Sequence, residues 1–360
     1  MANNFDLMAL ALKSECPNNE VLFDDKGMPS VMVKIPKMTY AQLGLGSSTA
    51  THPAFIVNGT EVDAIYISKY QNIVQNGRAY SLPGQDPAVS MDNDQARAYC
   101  EAKGAGWHLM TAMEWAAIAL WCKNNGTLPY GNNNYGKDSR ESNYKGIPSM
   151  GKYGDNCRIA TGTGPLTWSH DRTPGGIWDL NGNVNEWLGG FRLVYGEIQV
   201  LVNNNAADSD KSQGASSAEW MAIKASDGTF ITPNGSGTTS GSIKMDWTSN
   251  HLQYDTSISD SSPGAHDCDF EAITCSANIS DAAKLLLQAL AIFKYDSTSG
   301  AYEGDHIWFN NGEAERSFHR GGTWGYGVRS GVFHFDAGGA RSYQSWALGF
   351  RSAYVKLPAA

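Results

Sequence analysis

The chain has no surplus of positive charge: 27 Lys and Arg stand against 36 Asp and Glu in 360 residues, a formal net charge of −9. Such a field repels a phosphate backbone, which excludes nucleic acid as a main partner. Long apolar runs are also missing. The most hydrophobic window, Leu285 to Phe293, is bounded by Lys284 and Lys294 and falls far short of the roughly 20 residues of a membrane span, so no membrane insertion is expected. The opening MANNFDLMALALKSEC has no basic start and no small-residue cleavage pattern, which predicts no signal peptide. Six cysteines (Cys16, Cys100, Cys122, Cys157, Cys268, Cys275) include no CxxC and no histidine spaced to complete a zinc site. Free thiols are expected, with Cys268 and Cys275 near enough in sequence to close a small loop under oxidation. Charged residues are only 18%, whereas 39 Gly, 11 Trp and 16 Tyr point away from a helical bundle and towards a loop-rich, aromatic-anchored fold.

What is present is ordered by short periodic segments. Residues 1–30 read as an N-terminal lead-in with a turn at Asp25, Lys26 and Gly27. Val31, Val33 and Ile35 alternate with Met32, Lys34 and Pro36, and Ile65 and Ile67 with Tyr66 and Ser68, which predicts two half-buried strands. A helix follows Ser90 or Asp92, with Ala96, Tyr99 and Cys100 on one face and Gly104 ending it. Thr111 and Glu114 form a T-x-x-E capping box before Trp115, Ile118, Ala119 and Cys122 at helical spacing. From Gly131 to Gly182, Gly, Asn, Asp and Ser punctuated by aromatics predict turns and long ordered loops. Composition shifts again over 195–304, with a strand-like IQVLV, Ser/Gly/Thr-rich text near Gly235 to Gly241 and one helix from Ser280 to Phe293. This stretch reads as an inserted subdomain between a first part, 31–194, and a second part, 305–360.

Five pieces in order resemble one family: VMVKIPKMTY, AIYISKYQ, AVSMDNDQARAYCEAKG with WHLMTAMEWAAIA, GIWDLNGNVNEW, and HRGGTW with GFRSA. They are similar to the formylglycine-generating-enzyme branch of the C-type lectin fold, over about 31–190 and 316–355. The resemblance implies an α+β, loop-rich fold. The oxygen-using enzymes of that branch place two cysteines after the GG[ST][WY] turn, as copper-binding thiolates. Tyr326 and Gly331 stand there, and no cysteine occurs from Thr323 to Ala360. The iron-dependent sulfoxide synthases use a histidine set, whereas His52, His108 and His170 are separate and expected to be satisfied loop or core residues. A metal-dependent oxidoreductase is therefore the disfavoured alternative, and a structural virion decoration the other.

GGTWGYGVRSGVFHFDAGGARSYQSWALGFRSA is similar to the variable region of a diversity-generating retroelement protein of the phage or prophage type. There, adenine-directed mutagenesis rewrites template AAY codons amid a fixed scaffold. The scaffold would comprise Arg320, Gly321, Gly322, Trp324, Gly327, Arg329, Gly331, Phe333, Ala340, Arg341, Gly349, Phe350 and Arg351. Gly325, Tyr326, His334, Asp336, Gly338, Gly339, Tyr343, Ser345 and Ala347 are then the variable, ligand-binding positions within about 320–351. Gln344 and Trp346 are unreachable from AAY. The resemblance implies no enzyme but a display protein, with a virion surface as its place and a protein or other macromolecule on a cell surface as its partner. It requires no cofactor, and one structural calcium is the metal it brings. The ligands would be Asp179, the Gly182 and Val184 carbonyls and Glu186, an all-oxygen set suited to a hard cation. The same residues equally suit a metal-free turn with Glu186 paired to an arginine. Asn185 departs from the aromatic usual before the glutamate. The scaffold arginines are expected to tie loops to carbonyls and to stack on Trp324 or Phe350.

Overall fold

The computed structural model describes residues 4–262 and 264–357. The first three residues of the lead-in and the last three of the second part lie outside the described residues. Four α-helices occur among the described residues, α1 (Asn4–Glu15), α2 (Asn93–Glu101), α3 (Ala112–Asn124) and α4 (Asp281–Ala289), against many short strands joined by long loops. The architecture is mixed and sheet-rich. The lead-in is more regular than its sequence suggests, because α1 precedes a strand, Asn19–Phe23, paired antiparallel with Pro29–Pro36.

Local capping sets the central helices. Asp92 caps α2 in a reciprocal box with Gln95, and Ala96 and Cys100 turn inward. Thr111 Oγ1 accepts the Glu114 N–H at 3.1 Å while Glu114 Oε2 accepts the Thr111 N–H at 3.0 Å, so two orphan amide groups of α3 are satisfied at once. The helix is buried nearly all round, not along one stripe, because strands Asn185–Val194 and Gly331–Ala337, two short 3-10 turns and α4 surround it. The fourth helix stops short of Phe293. Ala291 takes a left-handed backbone, φ 50°, and the Ile292 N–H returns to the Leu287 carbonyl at 3.1 Å, which closes the helix, while Arg320 Nη2 donates to the Leu290 and Ala291 carbonyls at 2.9 and 3.1 Å.

Two sheets carry the fold. The smaller runs Asn19–Phe23, Pro29–Pro36, Ala64–Ser68, Ser352–Tyr354, Trp107–Leu109, so a C-terminal strand lies between two N-terminal ones. The larger, of 12 strands, runs His266–Asp269, His306–Phe309, Gly331–Ala337, Arg316–Gly321, Asn185–Val194, Glu197–Leu201, Lys244–Thr248, His251–Asp255, Thr274–Cys275, with Leu348–Phe350 parallel to Asn185–Val194. Residues 195–304 thus supply strands towards both edges of this sheet. They are woven into it, and do not pack beside it as a separate layer. One apolar cluster joins Ile67 of the small sheet, Trp115 of α3, Leu193, Leu287 of α4 and Phe335. All six cysteines are free thiols, and Cys268 Sγ accepts the Leu252 N–H. No helix among the described residues is long and apolar enough to cross a membrane.

Candidate functional site

The turn at Gly321 to Trp324 is pinned from beneath. Asn185 Oδ1 accepts the Gly322 N–H at 2.8 Å, and the Asn183 carbonyl accepts the Trp324 N–H at 3.2 Å. Asn185 therefore replaces the expected aromatic with an acceptor that fixes the turn. Trp324 is 4% exposed, and Trp346 lies edge-on to it at 4.9 Å.

Beyond strand Gly331–Ala337, residues 338–347 have no regular structure and are held by their main chain. The Gly339 carbonyl accepts the Ser317 N–H at 2.9 Å, Arg341 that of Asn93 at 3.1 Å, Ser345 that of Ser90 at 3.0 Å and Ala347 that of Asn185 at 2.9 Å. Side chains add to this: the Arg341 guanidinium meets Glu315 at 2.8 and 3.0 Å and Asp94 at 3.0 Å, Arg158 Nη1 donates to the Trp346 carbonyl at 2.9 Å, and Gln344 Nε2 donates to Gln95 Oε1 at 3.2 Å.

An open cleft of about 430 Å³ borders this loop, walled by Trp308, Arg316, His319, Asp336, Gly339 and Tyr343 among others. Asp336 Oδ1 accepts the Gly338 N–H at 2.7 Å, and His319 Nε2 stands 3.7 Å from Asp336 Oδ2. His319 Nδ1 is buried without a partner, and burial lowers that imidazole's pKa. Tyr343 is 47% exposed and Tyr326 39%, the latter with its ring 5.3 Å from Trp308. Of the nine expected variable positions, Asp336, Gly338, Gly339 and Tyr343 line one cleft, Tyr326 packs on the Trp308 ring, which forms part of the cleft wall, and Gly325 is exposed near Tyr135. Ser345 and Ala347 are half-buried further along the loop.

His334 does not belong to a surface. It is fully buried, with Nδ1 3.1 Å from the Arg329 carbonyl and its ring covered by Trp308 at 5.3 Å and Tyr326 at 5.9 Å. Burial pushes its pKa down to about 3. It supports the displayed rings from behind. Sequence reasoning missed Trp308 and Arg316, which precede the variable region, and the 48% exposed Trp346, set aside by its codon. Trp308 carried a faint signal, an aromatic alternating with inward Ile307 and Phe309.

Of the expected calcium ligands, Glu186 is paired with a cation that the chain itself provides, and the Val184 carbonyl is taken by Gln71. Arg351 Nε and Nη2 donate to the two Glu186 carboxylate oxygens at 2.5 and 2.6 Å, and Nη2 also to the Trp178 carbonyl at 3.1 Å. Gln71 Nε2 donates to the Val184 carbonyl at 3.0 Å and to Glu186 Oε1 at 3.0 Å. A divalent ion placed among these oxygens would meet a guanidinium and an amide N–H, so the donor set does not fit calcium. Gly182 donates its N–H to the Gly321 carbonyl at 2.8 Å and serves the turn. Asp179 accepts the Gly162 N–H at 2.9 Å and keeps one buried oxygen unpaired, and burial pushes its carboxyl up to about 6. Among the described residues, no group of three or more His, Cys, Asp and Glu is arranged to hold a metal. His52, His108 and His170 are held by protein partners, Ala289 O, Glu114 and the Ile177 N–H. Arg320 lies over Phe318 and Phe335, not over Trp324 or Phe350.

No family model matches the sequence, and no curated protein matches it. Among solved structures the chain is similar to Treponema denticola variable protein 1, at 12% identity and a TM-score of 0.34, over 94% of this chain and 99% of that one. It is similar to PvdO from Pseudomonas aeruginosa at 13% and 0.31, over 94% and 98%, and to the Major Tropism Determinant U1 variant at 12% and 0.32, over 94% and 71%. With TM-scores of 0.31 to 0.34, none of these likenesses carries weight for fold or function.

Proposed function

We propose that the chain is a ligand-binding display protein and not an enzyme, built on a C-type lectin fold of the formylglycine-generating-enzyme type. Its surface within about 320–351 is diversified by a retroelement for recognition of a protein or other macromolecule on a cell surface, in a virion setting. In this reading 31–194 and 305–360 form the lectin-like unit and 195–304 its insertion.

The observation that carries the proposal is the way residues 338–347 are held. Five of their carbonyls, at 339, 341, 345, 346 and 347, supply the anchoring acceptors, and three of those belong to positions expected to vary. A main-chain acceptor is common to every residue type, so side chains there are free to change while the loop keeps its path. Glycine placement supports the same division. A Cβ added at Gly339 would come no nearer than 3.4 Å to a neighbour and one at Gly338 no nearer than 3.1 Å, whereas at Gly331 it would collide with the Asp305 carboxylate.

The neighbouring DNA provides the direct test. A near-copy of the segment encoding 320–351, differing chiefly at adenines and adjacent to a reverse-transcriptase gene, is the expected finding. Its absence would remove the retroelement from the proposal. A displayed library randomised at 338, 339, 343, 345 and 347 then tests the binding role, with most members expected to stay protease-resistant and selectable against intact host cells.

A further inference from the structure

The hairpin turn at Tyr195, the loop 236–241 and the segment 256–261 enclose an open cleft of about 900 Å³, within the range of small-molecule sites. None of the nine expected variable positions lines it. We infer that this cleft binds a neutral polyhydroxylated ligand, a saccharide.

Charge chemistry narrows the ligand class. Lys244 and Tyr195 are the titratable residues of the lining, and the nearby Glu197 carboxylate, which lies outside it, is engaged through Oε2 by the Thr239 N–H at 3.0 Å and the Ser242 hydroxyl at 2.7 Å. The Lys244 ammonium has three protons and four protein acceptors: the carbonyls of Thr239 at 3.1 Å, Ser242 at 3.3 Å and Thr256 at 3.1 Å, and Ser242 Oγ at 2.9 Å. It ties one wall to the other and has no donor left for an anion.

Hydrogen-bonding capacity remains on the lining. The hydroxyls of Ser240, Ser257 and Ser261 make no hydrogen bond among the described residues, and each both donates and accepts. Asn311 Nδ2 is fixed by the Met245 and Asp260 carbonyls at 3.0 and 2.9 Å, which leaves its buried Oδ1 without a partner at the cleft wall. The loop is shaped in advance, since Asn234 Oδ1 accepts the N–H groups of Ser236 at 3.0 Å and Thr238 at 3.3 Å. Less ordering entropy is then lost on binding. Tyr195, 43% exposed and anchored through its N–H to the Glu313 carbonyl at 2.9 Å, adds with Ile258 an apolar face for the C–H face of a pyranose.

Saturation-transfer NMR on the full chain, with methyl glycosides of glucose, galactose, mannose and N-acetylglucosamine as probes, tests the inference. Transfer to at least one glycoside is expected, reduced at least threefold in Tyr195→Ala and retained in Tyr195→Phe. Because the Tyr195 backbone lies in the left-handed region, Ser257→Trp provides a second variant that fills the cleft from an exposed position and should abolish transfer. Absence of transfer from all four glycosides overturns the inference, as does transfer undiminished in Ser257→Trp or displaced by inorganic phosphate. None of these outcomes depends on the surface at 320–351.

Discussion

Arg351 and Glu186, 165 residues apart in sequence, form a two-pronged ion pair that is buried on both sides. The pair joins the strand Asn185–Val194 to the residue between strands Leu348–Phe350 and Ser352–Tyr354, one in each sheet. It occupies the place that the family resemblance assigned to calcium.

Removing one partner of such a pair leaves a buried charge uncompensated. Glu186→Gln should therefore cost about 3 kcal/mol or more in urea denaturation, while EDTA should leave the wild-type melting temperature unchanged. A melting temperature lowered by EDTA and restored by calcium would reinstate the metal.

The displayed and the fixed aromatics should separate in two measurements. Trp324→Ala leaves a cavity and should cost roughly 3 kcal/mol of stability. Tyr343→Ala should hardly move the melting temperature yet weaken binding of a selected cell-surface ligand by about 2 kcal/mol, roughly 30-fold in Kd. Unfolding of Tyr343→Ala would contradict its place on the surface.

Two glycines eight residues apart should behave oppositely. Gly339→Ser has room for its side chain and should stay within about 0.5 kcal/mol of wild type in chemical denaturation. Gly331→Ser drives its Cβ into Asp305 and should fail to give soluble, cooperatively melting protein.

Acid should destabilise the fold through histidines held neutral. His52 is fully buried, its Nδ1 accepting the Ala54 N–H at 3.2 Å and its Nε2 facing the Ala289 carbonyl at 2.9 Å, which assigns the neutral Nε2–H tautomer. Burial lowers its pKa from 6.5 to about 4, and His170 is likewise lowered to about 4. The unfolded chain takes up these protons first, so stability is full above about 6.5 and is lost as pH falls towards 4. His52 accounts for about 3 kcal/mol of that loss, and His52→Gln should make the fall of the urea midpoint between pH 6.5 and 4 shallower, leaving the share due to His170.

Limited proteolysis should cut first at the exposed Gly235 and Ser236. The fragments should stay associated under native conditions, because the strands on either side of the cut lie in one sheet.

Much of the local structure was legible because its causes are local. The Thr111 and Glu114 box, the Asp92 cap and the strands at 31–35 and 65–67 each depend on neighbours within a few residues, although Met32 and Ser68, expected to face outward, are fully buried by the layers packed on them. The early end of α4 was not legible, because it rests on a left-handed backbone at Ala291, a residue type that rarely takes one. The burial of His334 was equally hidden: on a strand, alternate residues face opposite sides, and only the fold places Trp308 and Tyr326 over one of them. The calcium set had the right residue types, yet the side chain that fills it comes from the far end of the chain. The cleft beside Tyr343 draws Trp308, Arg316 and His319 from strands whose pairing no sequence spacing announced.

The main-chain anchoring of residues 338–347 also bears on inheritance. On the proposed reading, a lineage that rewrites this loop passes from one binding specificity to another with few misfolded offspring, since the contacts that tie the loop to residues 90, 93, 185 and 317 are main-chain ones, and of the changing side chains only Asp336 and Ser345 hold an amide of the loop, at Gly338 and Ala347. Variation there is a change of content and not of container, and a population can explore it at a rate set by its mutagenic machinery, not by the stability margin of its protein.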